Sequence, residues 1–137
     1  MPKVLISDKL SPKAVEIFEG HGVEVDVKTG LEPSELAAII GGYDGVAIRS
    51  ATKVTGEILA AATNLKVVGR AGIGVDNVEI PEATARGVVV MNTPYGNAVT
   101  TAEHAISMIL ALAREIPAAN ESTQAGKWEK ARCMGTE

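Results

Sequence analysis

Cysteine is almost missing from this chain. The single Cys133 excludes an intramolecular disulfide and points to a reducing, cytoplasmic setting. With only His21 and His104 as histidines, it reads as a bystander rather than a nucleophile, and no metal-ligand cluster is expected. Positive charge is scarce as well. Thirteen Lys and Arg against 17 Asp and Glu leave a net charge of −4, and no basic stripe gathers on any element, which excludes a nucleic-acid surface. Long apolar runs are absent too. The longest, Met108 to Ala113, falls far short of the roughly 20 residues that span a bilayer. The start, Met1-Pro2-Lys3-Val4-Leu5-Ile6-Ser7-Asp8, reaches an acid too early for a signal-peptide core. A soluble protein is expected, off the membrane and without an export signal. At 137 residues the chain is long enough to bury about two thirds of its extended surface without a metal or disulfide staple.

What is present is alternation. Lys3 to Ser7, Val23 to Lys28, Gly45 to Arg49, Lys66 to Arg70 and Val88 to Asn92 read as short apolar strands. Helical patterns separate them. Ser11 with Pro12 opens one helix that Gly20 and Gly22 stop; Pro33 to Ile40, Thr55 to Ala62 with Thr55 as N-cap, and Pro81 to Arg86 are the next three. The longest pattern runs from Val99 to Ile116, with Ala102, Ala105, Ile106, Ile109, Leu110, Ala113 and Ile116 at helical spacing and Ala111 and Leu112 widening the apolar face. One small sheet cannot cover so wide a stripe, so contact with another domain or another chain is expected. The polar tail from Glu121 to Glu137 predicts no regular element. Strands alternating with helices imply an α/β fold, a mostly parallel sheet covered on both faces. Ligands of such sheets bind beyond the carboxyl ends of the strands.

Two arginines end strands there. Arg49 follows Val46-Ala47-Ile48 and Arg70 follows Val67-Val68-Gly69, so two guanidinium forks at one edge could clamp a dianion. Ser50, Ala51 and Thr52 add small side chains, hydroxyls and backbone amides. After Arg70 comes Ala71-Gly72-Ile73-Gly74-Val75-Asp76-Asn77, a glycine turn in which the backbone can approach a ligand or take positive φ. As a dinucleotide fingerprint it is incomplete, because Asn77 stands where the third glycine would be and no acid follows about 20 residues on. A small anionic substrate suits it better than a pyrophosphate. Asn97, in the loop after the fifth strand, could hold a ligand or simply cap the next helix.

Taken together, Arg49-Ser50-Ala51-Thr52-Lys53-Val54, Val67 through Asn77, Val90-Met91-Asn92-Thr93-Pro94, Gly126-Lys127-Trp128-Glu129 and Met134-Gly135-Thr136-Glu137 make the whole chain resemble the N-terminal part of the D-isomer-specific 2-hydroxyacid dehydrogenase family. The resemblance implies a flavodoxin-like, Rossmann-like three-layer substrate-binding domain over residues 1–97, and the start of a nucleotide-binding domain over 98–137. It also implies an NAD-dependent oxidoreductase converting 3-phospho-D-glycerate to 3-phosphooxypyruvate in L-serine biosynthesis. Arg49 and Arg70, with Ser50 beside them, would then hold the phosphate, the backbone of Ala71, Gly72 and Ile73 would receive the carboxylate, and Asn97 would lie near the nicotinamide end of NAD. Lys130 or Arg132 would reach a neighbouring subunit's phosphate site. The family's G-x-G-x-x-G, carbonyl-polarising arginine and proton-moving histidine come later than this sequence, so the chain reads as a fragment with no catalytic residue of its own and only weak hold on NAD. His21 and His104 do not match that histidine. A homo-oligomer through the helix 99–116 is expected. Other readings are a family member acting on a different 2-hydroxy acid, and a non-catalytic anion-binding module.

Overall fold

In the computed structural model, which describes residues 1–136, the chain forms two compact units, Met1–Gly96 and a second beginning at Asn97. Glu137, the end of the expected unstructured tail, lies outside the described residues. The first unit is a five-stranded parallel sheet in the order β2-β1-β3-β4-β5, the order of flavodoxin-like folds. Its strands are β1 (Lys3–Ile6), β2 (Glu24–Val27), β3 (Gly45–Ile48), β4 (Val67–Arg70) and β5 (Val89–Asn92); between them run α1 (Lys13–Gly20), α2 (Pro33–Ile40), α3 (Gly56–Ala61) and α4 (Ile80–Ala85). Every expected strand and helix of this unit is present, most of them a residue or two shorter.

Alternation along the strands sorts the core. Leu5, Val46, Ile48 and Val68 face α2, α3 and α4, where they pack with Leu36, Ile40, Ile58, Leu59 and Ala83. Val4, Ile6 and Ala47 point the other way, onto Ala14, Val15 and Phe18 of α1. The expectation of two covered faces therefore holds only in part. Among the described residues of this unit α1 is the helix packed on that face, and Val89 and Met91 of β5 are 58% and 57% exposed. The edge strand β2 is also not continuously buried, since Glu24 and Asp26 alternate into an ion network.

Thr55 caps α3 by accepting from the Ile58 N–H, as its hydroxyl predicts. In α2 the work passes to Glu35, whose carboxylate accepts the Glu32 N–H at 2.8 Å. Ser11 does not cap α1: Pro12 occupies that position without a side-chain bond, and the Ser11 carbonyl instead accepts from the Ala14 N–H.

The second unit departs from expectation. The long helix α5 spans Ala98–Ala113, not 99–116, and a separate helix α6 (Ile116–Gln124) takes up the start of the tail that predicted no element. The physical reason is Pro117 in the first turn of α6. A continuous helix would set its ring against the carbonyl of Ala113. The chain breaks instead at Glu115, which adopts φ +50°, and the freed Ala113 carbonyl accepts the Thr136 N–H at 2.7 Å. No residue of α5 is buried. No helix among the described residues is long and apolar enough to cross a membrane.

Charges collect at the amino ends of the strands, away from the arginines. Lys3 Nζ lies 2.7 Å from Glu24 and 3.2 Å from Asp26, Tyr43 donates to Asp26 at 2.7 Å, and Lys66 pairs with Asp44 at 2.8 Å. The Tyr43 hydroxyl, then Lys3, hold the Asp26 carboxyl below its ordinary range; Lys66 and the Lys3 backbone do the same for Asp44. A carboxyl with a lowered folded pKa contributes stability above its unfolded value near ~3.9 and loses it as the pH falls further. Acid titration followed by circular dichroism should therefore show stability falling below about pH 4, with a shallower fall in Asp26→Asn and Asp44→Asn.

Candidate functional site

The first unit's candidate site residues lie at the carboxyl ends of β1, β3 and β4, around the point where the strand order reverses between β1 and β3. Asp8, just past β1 and only 6% exposed, organises the loop after β3. Its carboxylate accepts from the Arg49 N–H, the Thr52 N–H at 3.2 Å and the Thr52 hydroxyl at 2.8 Å, while Ser7 Oγ lies 2.9 Å from the same hydroxyl. Of the three loop amides expected to welcome a ligand, that of Thr52 is thus engaged by an internal carboxylate, together with the Arg49 amide before them. Ser50 and Ala51 remain exposed at the tip of the loop.

The turn after β4 is equally committed. The Ala71 N–H donates to the Ile48 carbonyl at 2.8 Å and the Gly72 N–H to the Arg70 carbonyl at 2.9 Å. Ile73 is 44% exposed, its carbonyl accepts from Asn92 Nδ2 at 2.7 Å, and no hydrogen bond among the described residues uses its N–H. Of the three amides expected to meet a carboxylate, that of Ile73 stays open. Gly69, Gly72 and Gly74 are not among the glycines with positive φ, so backbone freedom is not what this turn needs. The tip of the Arg70 side chain lies where a Cβ on Gly72 would stand, and a Cβ on Gly74 would lie 2.9 Å from Asp76 Oδ1 and 3.7 Å from Arg70 Nη1, so a side chain at either position would displace one of these flexible ends.

Arg49 is exposed and Arg70 half-buried. Among the described residues neither makes an ion pair. Arg49 lines a cleft of about 450 Å³ with Lys9, Leu10, Ser11, Pro12 and Ala71. Arg70 borders an apolar groove of similar size on the α1 side of the sheet, which shares Leu10 and Ala71 with that cleft. Asn77 joins the two loops: its Nδ2 donates to the carbonyls of Arg49 at 2.7 Å and Thr52 at 2.6 Å, and its Oδ1 accepts from Arg70 Nε at 3.0 Å.

Asp8 and Asn77 escaped sequence reasoning. Asn77 carried a visible signal, a side chain where the fingerprint wants a glycine; Asp8 carried only its place at a strand exit. In the second unit, Asn97 sits exposed at the N-cap of α5, where its carbonyl accepts the Thr101 N–H and its side chain makes no capping bond. Arg132 pairs with Glu129 at 3.2 Å, and Lys130 is exposed. Glu129 is held below its ordinary carboxyl range, first by the Ser122 hydroxyl. No group of three His, Cys, Asp or Glu among the described residues could hold a metal ion.

A parallel 2-1-3-4-5 sheet with two arginines at neighbouring strand ends, neither in an ion pair among the described residues, defines an α/β domain of flavodoxin-like order. The match to the family described as D-isomer specific 2-hydroxyacid dehydrogenase, catalytic domain, runs over residues 4–132, and the chain belongs to that family. Among its relatives are D-3-phosphoglycerate dehydrogenases of Archaeoglobus fulgidus, 49% identical over 98% of this chain and 26% of that protein, and of Sus scrofa, 51% identical over 98% of this chain and 25% of that protein. The chain spans about a quarter of the length of these curated relatives. The crystal structure of NAD⁺-bound 3-phosphoglycerate dehydrogenase from Entamoeba histolytica matches with a TM-score of 0.72 and 32% identity, over 82% of this chain and 39% of that one.

The family's cofactor, NAD, does not fit the glycine turn. A pyrophosphate needs the space above the glycines, and here the Arg70 guanidinium fills it. The third glycine position is taken by Asn77, whose amide is fully engaged.

Proposed function

We propose that this chain is the substrate-binding portion of an NAD-dependent oxidoreductase that converts 3-phospho-D-glycerate to 3-phosphooxypyruvate, at the entry to L-serine synthesis. The observation that carries the reading is the pair of arginines at neighbouring strand ends that make no ion pair among the described residues. A phosphate dianion matches two guanidinium groups, and the open amide of Ile73 suits the carboxylate. The names of the relatives at about 50% identity support this substrate over an unphosphorylated acid. In the whole enzyme NAD takes the hydride; residues 1–97 bind and orient the acid, and residues from 98 onward open the nucleotide-binding domain, with Asn97 between the two roles. The single unpaired cysteine suits a cytoplasmic enzyme.

Calorimetric titration of the chain with 3-phosphoglycerate and with D-glycerate tests the reading. Tighter binding of the phosphorylated acid, by about tenfold or more, is expected. Equal affinities would favour another 2-hydroxy acid, and absence of both would remove the assigned role.

The partner we propose for α5 is a second copy of this chain. Val99, Ile106, Ile109 and Leu112 are 71%, 57%, 65% and 81% exposed, an apolar stripe of the kind that marks an interface. Light scattering at high concentration should give the mass of a dimer, reduced to that of a monomer by Leu112→Asp with Ile109→Asp. A wild-type monomer at all concentrations would sink this assembly.

A further inference from the structure

We infer that Asn77 is a positioning residue that sets the two arginines for an incoming anion. This rests on the substrate reading above, and its geometry stands apart from the identity of the acid. Every polar group of the Asn77 side chain is engaged, and only one orientation of the amide serves. Two carbonyl oxygens, of Arg49 and Thr52, need donors, while Arg70 Nε–H needs an acceptor. The backbone of Asn77 is anchored too, its carbonyl accepting the Val54 N–H at 2.8 Å beside the Val54–Val78 bridge. The residue therefore ties the loop after β3 to the arginine that ends β4, across 25 residues of sequence to Thr52.

For Arg70 the consequence is directional. Nε is occupied and Nη1 lies over Gly72 and Gly74, so the guanidinium is held before a ligand arrives and offers its terminal Nη edge to the anion. An amide does this without neutralising the charge. A carboxylate of the same shape would keep the acceptor for Nε, lose both donors and pair with the guanidinium. Ordering a long side chain in advance removes that cost from binding, which corresponds to about tenfold in affinity.

The test uses the ¹⁵N-labelled 137-residue chain, with 3-phosphoglycerate and inorganic phosphate as probes. The Arg70 Nε–H resonance should exchange slowly with solvent without ligand, and Asn77→Ala should speed its exchange and weaken both anions about tenfold. Asn77→Asp should keep the slow exchange yet lose at least as much affinity, an outcome that a merely structural role would not produce. Arg70→Lys preserves the charge without Nε and should also bind about tenfold more weakly, which keeps the inference open to refutation where the Asn77 variants fail to fold. Fast exchange of the wild-type Nε–H, or unchanged affinity in Asn77→Asp or Arg70→Lys, would overturn it. A wild type that binds neither probe, with protection lost in Asn77→Ala, would support the positioning and overturn the substrate reading alone.

Discussion

Replacing Arg70 with alanine is expected to weaken 3-phosphoglycerate binding by about two orders of magnitude, since each hydrogen bond to a charged group is worth roughly 1.5–3 kcal/mol. The fold should tolerate the change, because the guanidinium packs over glycines and one amide rather than in the core. Asn77 then loses one of its three partners but keeps both donors satisfied. Arg49→Ala should cost less and should be more sensitive to salt, as that side chain is exposed and its interactions are screened within a Debye length of about 10 Å at 0.1 M. Calorimetry of the two variants, with thermal unfolding as the control for folding, checks the order. Arg70→Ala binding as tightly as wild type would remove this residue from the site.

The second large effect belongs to the core. Ile48 is fully buried at the end of β3 among side chains of α2, α3 and the neighbouring strands. Ile48→Ala removes three methyl or methylene groups from a close-packed interior and should destabilise the protein by about 2–5 kcal/mol, a large share of the roughly 5–15 kcal/mol that holds a domain folded. Urea unfolding measures it. A loss below about 1 kcal/mol would mean that the sheet repacks around the cavity. Binding should suffer too, because Ile48 precedes Arg49 and its carbonyl holds the Ala71 amide.

Much of the architecture was legible because its causes are local. Apolar β-branched runs such as Val67-Val68 and punctuation such as Pro33 and Gly41-Gly42 act within a few residues, and the placement of Arg49 and Arg70 followed from the strands they end. What was missed was set by contacts distant in sequence. Nothing near Asp8 announces that its carboxylate will gather amides 41 and 44 residues away. The glycines of the turn suggest close approach to a ligand or positive φ; none of Gly69, Gly72 and Gly74 takes positive φ, and the Arg70 side chain lies over Gly72 and Gly74. Pro117 is in plain view, but the apolar period from Ala102 to Ile116 runs up to it and across the break at Glu115. Periodicity reports which face is apolar, and it does not report whether the backbone can remain helical.

The most direct measurement is a crystal structure of the chain grown with 3-phosphoglycerate. Density for the phosphate against the Nη edge of Arg70 and the guanidinium of Arg49, with the carboxylate at the Ile73 amide, is the expected result. Ligand bound instead in the apolar groove by Val67 and Met91, or at the Lys3 and Lys66 edge of the sheet, with both arginines untouched, would contradict the assignment of these strand ends as the anion site.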